Sequence, residues 1–440
     1  MNKPRLTLTI TTIAALTAPL ALAQSASTYT GPKVELTYVH GFTASDRTIK
    51  EELIKRFNAS HPNIVVKGQA VPWPTTWQQL PSLVSAGRAP DVVAVTEDVM
   101  GNFMARGMFV EITPSDLSKA KIKSSDFYKN LWTSSTYKGK LYGVPFSQIS
   151  FVMFYNKDLL KKSGVTSLPT NRQQFIQAAQ KCTTDKTGKR PGDAGFNAKS
   201  LNTYGVNVAV GQGNLMAYGI LRGNGGDLVN ASQDPAFDSP EAQEALQFMV
   251  DLVQKYNVSK PNMTAESGIA DFRAGKACFN IEGAWLNTQY QGIKDFEYGV
   301  APVPQLGTKR PAFWTAFQSL MLPRQKPNYD NNKRLAALEF ARWMTEPAQS
   351  LYWTATSGAL PIRADVSKST EYEKSQFAGV AAELEHGYIP TGVPWLPQVM
   401  TPWYQSIDSI LLGKKNVKDA LNAGVTEARK QVQQARQTIR

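Results

Sequence analysis

Residues 34–71, VELTYVHGFTASDRTIKEELIKRFNASHPNIVVKGQAV, decide the fold class. The opening run VELTYVHG alternates apolar and polar positions as a strand does. The charged segment after it places Ile49, Leu53, Ile54 and Phe57 on one helical face, with Ser45 or Asp46 as cap and Asn58 to Pro62 as stop. IVVKGQAV is a second strand, TTWQQLPSLVSAG (75–87) a second helix and PDVVAV (90–95) a third strand. Apolar strands alternating with helices specify a parallel sheet covered on both faces.

The same grammar returns further on. GVPFSQISFVMFYNKDLL (143–160) is a long extended segment running into a helix start, and NRQQFIQAAQKC (171–182) is a helix. Residues 205–227, GVNVAVGQGNLMAYGILRGNGGD, carry so many Gly and Asn that short strands and tight turns are expected there. The cleanest helix is DSPEAQEALQFMVDLVQKYN (238–257), with Ser239 as cap, Pro240 in the first turn and Ala242, Leu246, Met249, Val250 and Val253 as a core stripe. FNIEGAW (279–285) is a strand ending in a carboxylate, a glycine and an indole. Extended pieces at 298–305 and 319–323 and a helix from Lys333 to Thr345 follow.

Bulk properties bound the function. Residues 1–23 carry Lys3 and Arg5, then an uncharged apolar run ending Ala21-Leu22-Ala23, the pattern of a cleavable secretory signal. No Cys follows it, so lipid attachment there is excluded, and the chain is expected to be secreted, soluble, in the periplasm or cell envelope. The remaining stretch of about 415 residues exceeds one hydrophobic core, which implies two domains. The formal charge of +13 is spread along the chain, the densest runs being KAKIK and GKKNVK, so it reads as a solvated basic surface and no nucleic-acid partner is implied.

The usual catalytic signatures are missing: G-x-S-x-G, H-E-x-x-H, the phosphate loop, G-x-G-x-x-G and EF-hand spacing. Only two carboxylates on a suitable fold would be needed for a glycoside hydrolase; that is the enzyme alternative, and nothing argues positively for chemistry. Two cysteines and three dispersed His give no zinc spacing. Cys182 and Cys278 form either one disulfide in an oxidising compartment or two buried thiols.

At KRFNASHPNIVV (55–66), AGRAPDVVAVTEDVMGNFMARGMFVEI (86–112), LYGVPFSQISFVMFYNKDLLKKSG (141–164) and FRAGKACFNIEGAW (272–285) the sequence resembles the extracellular solute-binding proteins of ABC importers, in the branch holding maltose-, oligosaccharide- and glycerol-3-phosphate-binding members. The resemblance implies an α/β, two-lobed periplasmic-binding-protein fold of the class II type, each lobe a sheet flanked by helices, with the ligand cleft between lobes. It further implies a first lobe of residues 31–150 and 304–356, a second of 151–303 and 357–440, no cofactor, no catalysis, a monomer, and delivery to ABC permease subunits in the membrane.

Sugars present C–H patches on one face and hydroxyls at the edge, so a cleft that holds them combines aromatic platforms with planar hydrogen-bonding groups. On that basis Trp285 is expected to stack on a sugar face, Gly283 to let backbone approach, and Glu282 to accept hydroxyls or cap the strand. Position by position, the resemblance adds His40 and Phe42 after the first strand, Trp77, Glu97 and Asp98 past a strand's carboxyl end, Ser147 and Gln148 at the lobe crossing, Trp314, Phe317 and Gln318 on the returning segment, and Trp403, with Trp395 as its substitute. Gln212 and Asn214 are the second-lobe candidates. Glycerophosphate binders of this branch are expected to carry a cation near Gly387 to Tyr404; none stands there, which favours a neutral sugar or oligosaccharide. The alternative is a glycerol-3-phosphate or glycerophosphodiester held by Arg222, Arg310 or Arg363.

Overall fold

The structure is a computed structural model that describes residues 26–43, 46–388 and 393–438. The expected signal segment and Ser45 lie outside them.

The first lobe is built from β1 (Val34–His40), α1 (Asp46–Ser60), β2 (Ile64–Ala70), α2 (Trp73–Ser85), β3 (Val92–Thr96) and α3 (Glu97–Ala105). β1 pairs in parallel with both β2 and β3. Along α1 the buried residues are Lys50, Leu53, Ile54 and Phe57; Ile49 is partly buried and packs against the same core, and Lys50 is buried beside it.

β4 (Gly143–Asn156) then crosses between lobes. The second lobe continues with α4 (Arg172–Cys182), β5 (Leu201–Val206), α5 (Gly213–Gly223), α6 (Pro240–Gln254), β6 (Ala277–Gly283) and β7 (Tyr298–Ala301). Ser239 caps α6 by accepting from the Ala242 amide, as its sequence indicates. The chain returns through β8 (Phe313–Met321), α7 (Asn331–Met344) and α8 (Pro347–Ser357), and closes with the short β9 (Gly387–Tyr388), α9 (Leu396–Leu411) and α10 (Val417–Thr438).

Sheet order runs β2-β1-β3-β8-β4-β6-β5 through both lobes. Gly143 to Ser150 of β4 pair with β8, whereas Phe151 to Asn156 pair with β6 and β7. The sheet is therefore mixed rather than parallel throughout: β8 runs antiparallel to β3 and β4, because the chain comes back from the second lobe in the opposite direction. Separate hydrophobic clusters fill the lobes. Val144 and Phe146 belong to the first, Phe151 and Met153 to the second; on β8, Trp314 and Ala316 pack with the second cluster and Phe317 with the first.

One segment departs from its local reading. Residues 213–223, expected as turns, form helix α5. Its glycines serve contact: a Cβ on Gly219 would lie 3.1 Å from the Phe313 Cα, and one on Gly223 2.9 Å from the Gly307 Cα. The helix seats its backbone against β8, and burial of Met216, Ala217, Ile220 and Leu221 outweighs the propensity cost of Gly.

The Cys182 and Cys278 sulfurs are bonded, joining the end of α4 to β6. Among the described residues no helix is long and apolar enough to cross a membrane.

Candidate functional site

At the carboxyl end of β1 the first lobe carries an aromatic wall. Gly41 lies under the Trp73 indole, where a Cβ would come within 1.9 Å of the ring. Trp73 stacks on Trp77 at 5.5 Å between centroids and meets Phe42 edge-on at 5.4 Å. Beneath Phe42 the Lys50 Nζ lies 3.8 Å from the centroid of Trp353 and 4.5 Å from that of Phe146. Burial, then the charges of Lys50 and Arg47, press the His40 pKa down to about 3, so this imidazole is neutral. Burial likewise holds Lys50 well below an ordinary lysine.

Glu97 and Asp98 open α3 directly after β3, at a strand's carboxyl end and a helix N-terminus. Burial raises the Glu97 carboxyl well above its usual range and the adjacent Asp98 raises it further, with the Glu97 and Phe317 amides offsetting part. Asp98 is raised by burial against the Thr96 hydroxyl, which donates to its Oδ1. Among the described residues, no cation is among the main groups acting on either carboxyl.

Facing them stand α5 and α9 of the second lobe. Asn214, Tyr218 and Arg222 form one stripe of α5 at helical spacing. The Tyr404 hydroxyl bonds to Asn214; burial, then Asp98 and Glu97, raise its pKa. Tyr218 is raised by burial and then by Asp227, with Glu97 among the charges that reach it. Arg222 is paired with Asp227 and lies 4.5 Å from the Tyr388 ring. Its neighbour Arg310 donates through Nε to the Arg222 carbonyl. Arg363 is held in the first lobe by Asp365 through two nitrogens.

The second aromatic wall follows β6. Trp285 is half-buried, 6.1 Å from both Phe151 and Trp314 and edge-on to each. Gly283 makes room for it, since a Cβ there would sit 2.1 Å from the indole; its amide donates to Glu282 Oε1. Burial pushes Glu282 up to about 7. Glu282 and Gln212 line a narrow crevice with Asn207 and Asn280, at the carboxyl ends of parallel β5 and β6.

At the crossing, the Ser147 hydroxyl accepts from Trp353 Nε1 at 3.0 Å, and Gln148 Nε2 donates to Thr315 at 3.4 Å. Buried atoms around these walls that have no hydrogen-bond partner among the described residues include Glu97 Oε2, Gln148 Oε1, Asn214 Oδ1, Gln318 Oε1, Asn207 Oδ1, Trp314 Nε1, Arg222 Nε, His40 Nδ1 and Lys50 Nζ. Buried polar groups are almost always satisfied, so such a concentration marks a place built for another molecule.

Of the expected residues, Glu97, Asp98 and Asn214 come together across the lobes, and Trp285 with Trp314 on one wall. His40, Phe42 and Trp77 lie on the other wall, and Gln212 and Gly283 beside β6. Trp403 and Phe317 are not on these surfaces: Trp403 is fully buried 5.5 Å from Phe237, and Phe317 is fully buried in the first cluster. Trp395 sits on the far side of the second lobe, donating to the Gln233 carbonyl. Sequence reasoning missed Tyr404, Tyr218 and Trp73. The spacing of Asn214, Tyr218 and Arg222 was a usable signal, obscured by the glycines of α5.

The sequence profile of the family described as bacterial extracellular solute-binding protein matches residues 52–379. The chain belongs to that family. This solute-binding protein is similar to the maltodextrin-binding protein MdxE of Bacillus subtilis, 25% identical over 376 residues, which cover 81% of each chain. An ABC substrate-binding protein of Listeria monocytogenes solved in complex with cycloalternan superposes with a TM-score of 0.76 at 21% identity, over 91% of this chain and 99% of that one. Maltose-bound MalE3 of T. maritima gives 0.75 at 22% identity, over 90% and 99%. The fold is therefore the two-lobed one of sugar-binding solute receptors, and these relatives are binding proteins by name.

Proposed function

We propose that this chain is the extracytoplasmic substrate-binding component of an ABC importer, that it holds a sugar or oligosaccharide between its lobes, and that it delivers this cargo to a membrane permease without altering it. The observation that carries the reading is the set of buried, unpartnered polar groups contributed by both lobes, Trp314 Nε1 of the Trp285–Trp314 wall among them. An indole covers a sugar's C–H face while carboxyl and amide groups take its hydroxyls. A ligand that touches α3 and α5 at once binds the closed arrangement better than the open one, and only that difference shifts the population toward closure.

A phosphate-bearing ligand is the second reading, and the pairing of Arg222 with Asp227 weighs against it, since the guanidinium charge is already met. A thermal-shift panel of sugars and glycerophosphates, followed by calorimetry, tests the choice: a sugar should raise the melting temperature, by mass action on the folded state. Trp285→Ala should weaken the hit about tenfold or more. Hits confined to glycerophosphates, or turnover of any glycan by the purified protein, would overturn the reading.

A further inference from the structure

The unpartnered atoms at the inter-lobe face are not evenly divided between donors and acceptors. Glu97 Oε2, Asn214 Oδ1, Gln148 Oε1 and Gln318 Oε1 are carboxyl or amide oxygens, and Trp314 Nε1 and Arg222 Nε are donors. Glu97 is 6% exposed and Asn214 also 6%, so water does not readily serve either group. Beside this surplus stand two adjacent carboxyls, Glu97 and Asp98, on the first turn of α3.

The charges of the facing cations are already met. Arg222 is bound through Nη1 by Asp227 and the Gly226 carbonyl, leaving only its Nε without a partner among the described residues, and Arg310 donates to the backbone of Arg222. Lys50 is enclosed by Phe42, Phe146 and Trp353 on the other side of the first lobe's wall. Without a counter-charge the buried Glu97 carboxyl, beside the half-buried Asp98, is held toward its protonated form. A hydroxyl offers one donor and two acceptor sites, which relieves the acceptor surplus only in part; an ammonium offers up to three donors, no acceptor and the missing positive charge.

Resting on the reading of this face as the ligand site, we infer that the preferred cargo carries a protonated amine held by Glu97 and Asp98: an amino sugar, or an oligosaccharide with an ammonium in place of one hydroxyl. Stacking on Trp285 and hydrogen bonding to Asn214 are shared with a neutral sugar. The charge contact is what separates the two.

Calorimetry on the full chain compares matched disaccharides of the α- and β-linked series that differ at one position, glucose against glucosamine units, with the N-acetylated forms as controls for size. The ammonium-bearing member should bind about tenfold or more tightly than its hydroxyl twin, N-acetylation should abolish the gain, and Glu97→Gln and Asp98→Asn should each shrink it. Binding should also release protons, seen as a heat that varies with the buffer's ionisation enthalpy. Equal or tighter binding of the hydroxyl twin overturns this inference and leaves sugar binding standing, whereas failure of both sets to bind overturns the two together.

Discussion

The side-chain amide of Asn102, on α3, donates to the carbonyl of Pro394 across 2.8 Å and ties the first lobe to the chain entering α9. At the preceding residue, a Cβ on Gly101 would lie 3.3 Å from the Val393 carbonyl oxygen, so the two backbones lie close together. This latch touches none of the groups that line the aromatic walls. Asn102→Ala removes one buried hydrogen bond between α3 and the chain entering α9, a loss of about 0.5 to 1.5 kcal/mol. Calorimetry with the sugar that binds best should show affinity weakened about two- to tenfold with an unchanged set of ligand contacts. An affinity equal to that of the wild type would mean that Asn102 plays no part in closure.

Trp403 and Tyr404 are neighbours on α9 with opposite duties. The indole of Trp403 fills the second lobe's core against Phe237, and the Tyr404 hydroxyl meets Asn214 near the first lobe's carboxyls. Trp403→Ala should therefore cost about 3 to 5 kcal/mol of stability by urea titration, and Tyr404→Phe should leave the denaturation midpoint nearly in place while weakening ligand binding severalfold. The reverse pattern would exchange their roles.

That pair also shows how far the sequence could be read. Resemblance singled out Trp403 but neither the helix α9 around it nor its neighbour Tyr404, and which of these two adjacent side chains turns inward depends on how the helix is rotated against Phe237, a contact remote in sequence. Lys50 repeats the lesson on α1: the apolar stripe of Ile49, Leu53, Ile54 and Phe57 is local, but the burial of Lys50 beside it depends on the aromatic enclosure from Phe42, Phe146 and Trp353, which is remote in sequence. Strands β1 to β3 and helix α6 were legible because their patterns and caps are local. α5 was not, because its glycines take their meaning from β8, nor was the antiparallel course of β8, which follows from the chain's return out of the second lobe.

The Cys182–Cys278 bond closes a loop with a sequence separation of 96 between α4 and β6. Restricting so long a loop in the unfolded chain is worth about 4 to 5 kcal/mol in the chain-entropy model. Both sulfurs are fully buried, so reductant alone should act slowly on the native protein, whereas Cys182→Ser with Cys278→Ser should lower the denaturation midpoint by an amount of that order. A double variant as stable as the parent would show that the bond contributes little beyond its packing.

Acid sensitivity should come from the other end of the molecule. Glu339 on α7 is completely buried and accepts hydrogen bonds from His61 Nε2 at 3.0 Å, from Arg342 Nη2 at 2.7 Å and from the Thr28 hydroxyl. Burial alone would raise its pKa, but the bonds from His61, Arg342 and Thr28 outweigh burial and hold the carboxyl below the usual carboxylate range. A folded pKa below the unfolded value of about 4.3 gives stability that is present above that pH and is lost as pH falls through the folded pKa. Glu339→Gln removes the charge that faces Arg342 and should cost about 3 kcal/mol at pH 7, with a stability curve flatter than the parent's below pH 4, because the variant has no proton to take up there. Denaturant titrations at pH 7, 5 and 3 measure both effects; parallel curves for the two proteins would place the acid-labile group elsewhere than in the His61–Glu339–Arg342 network.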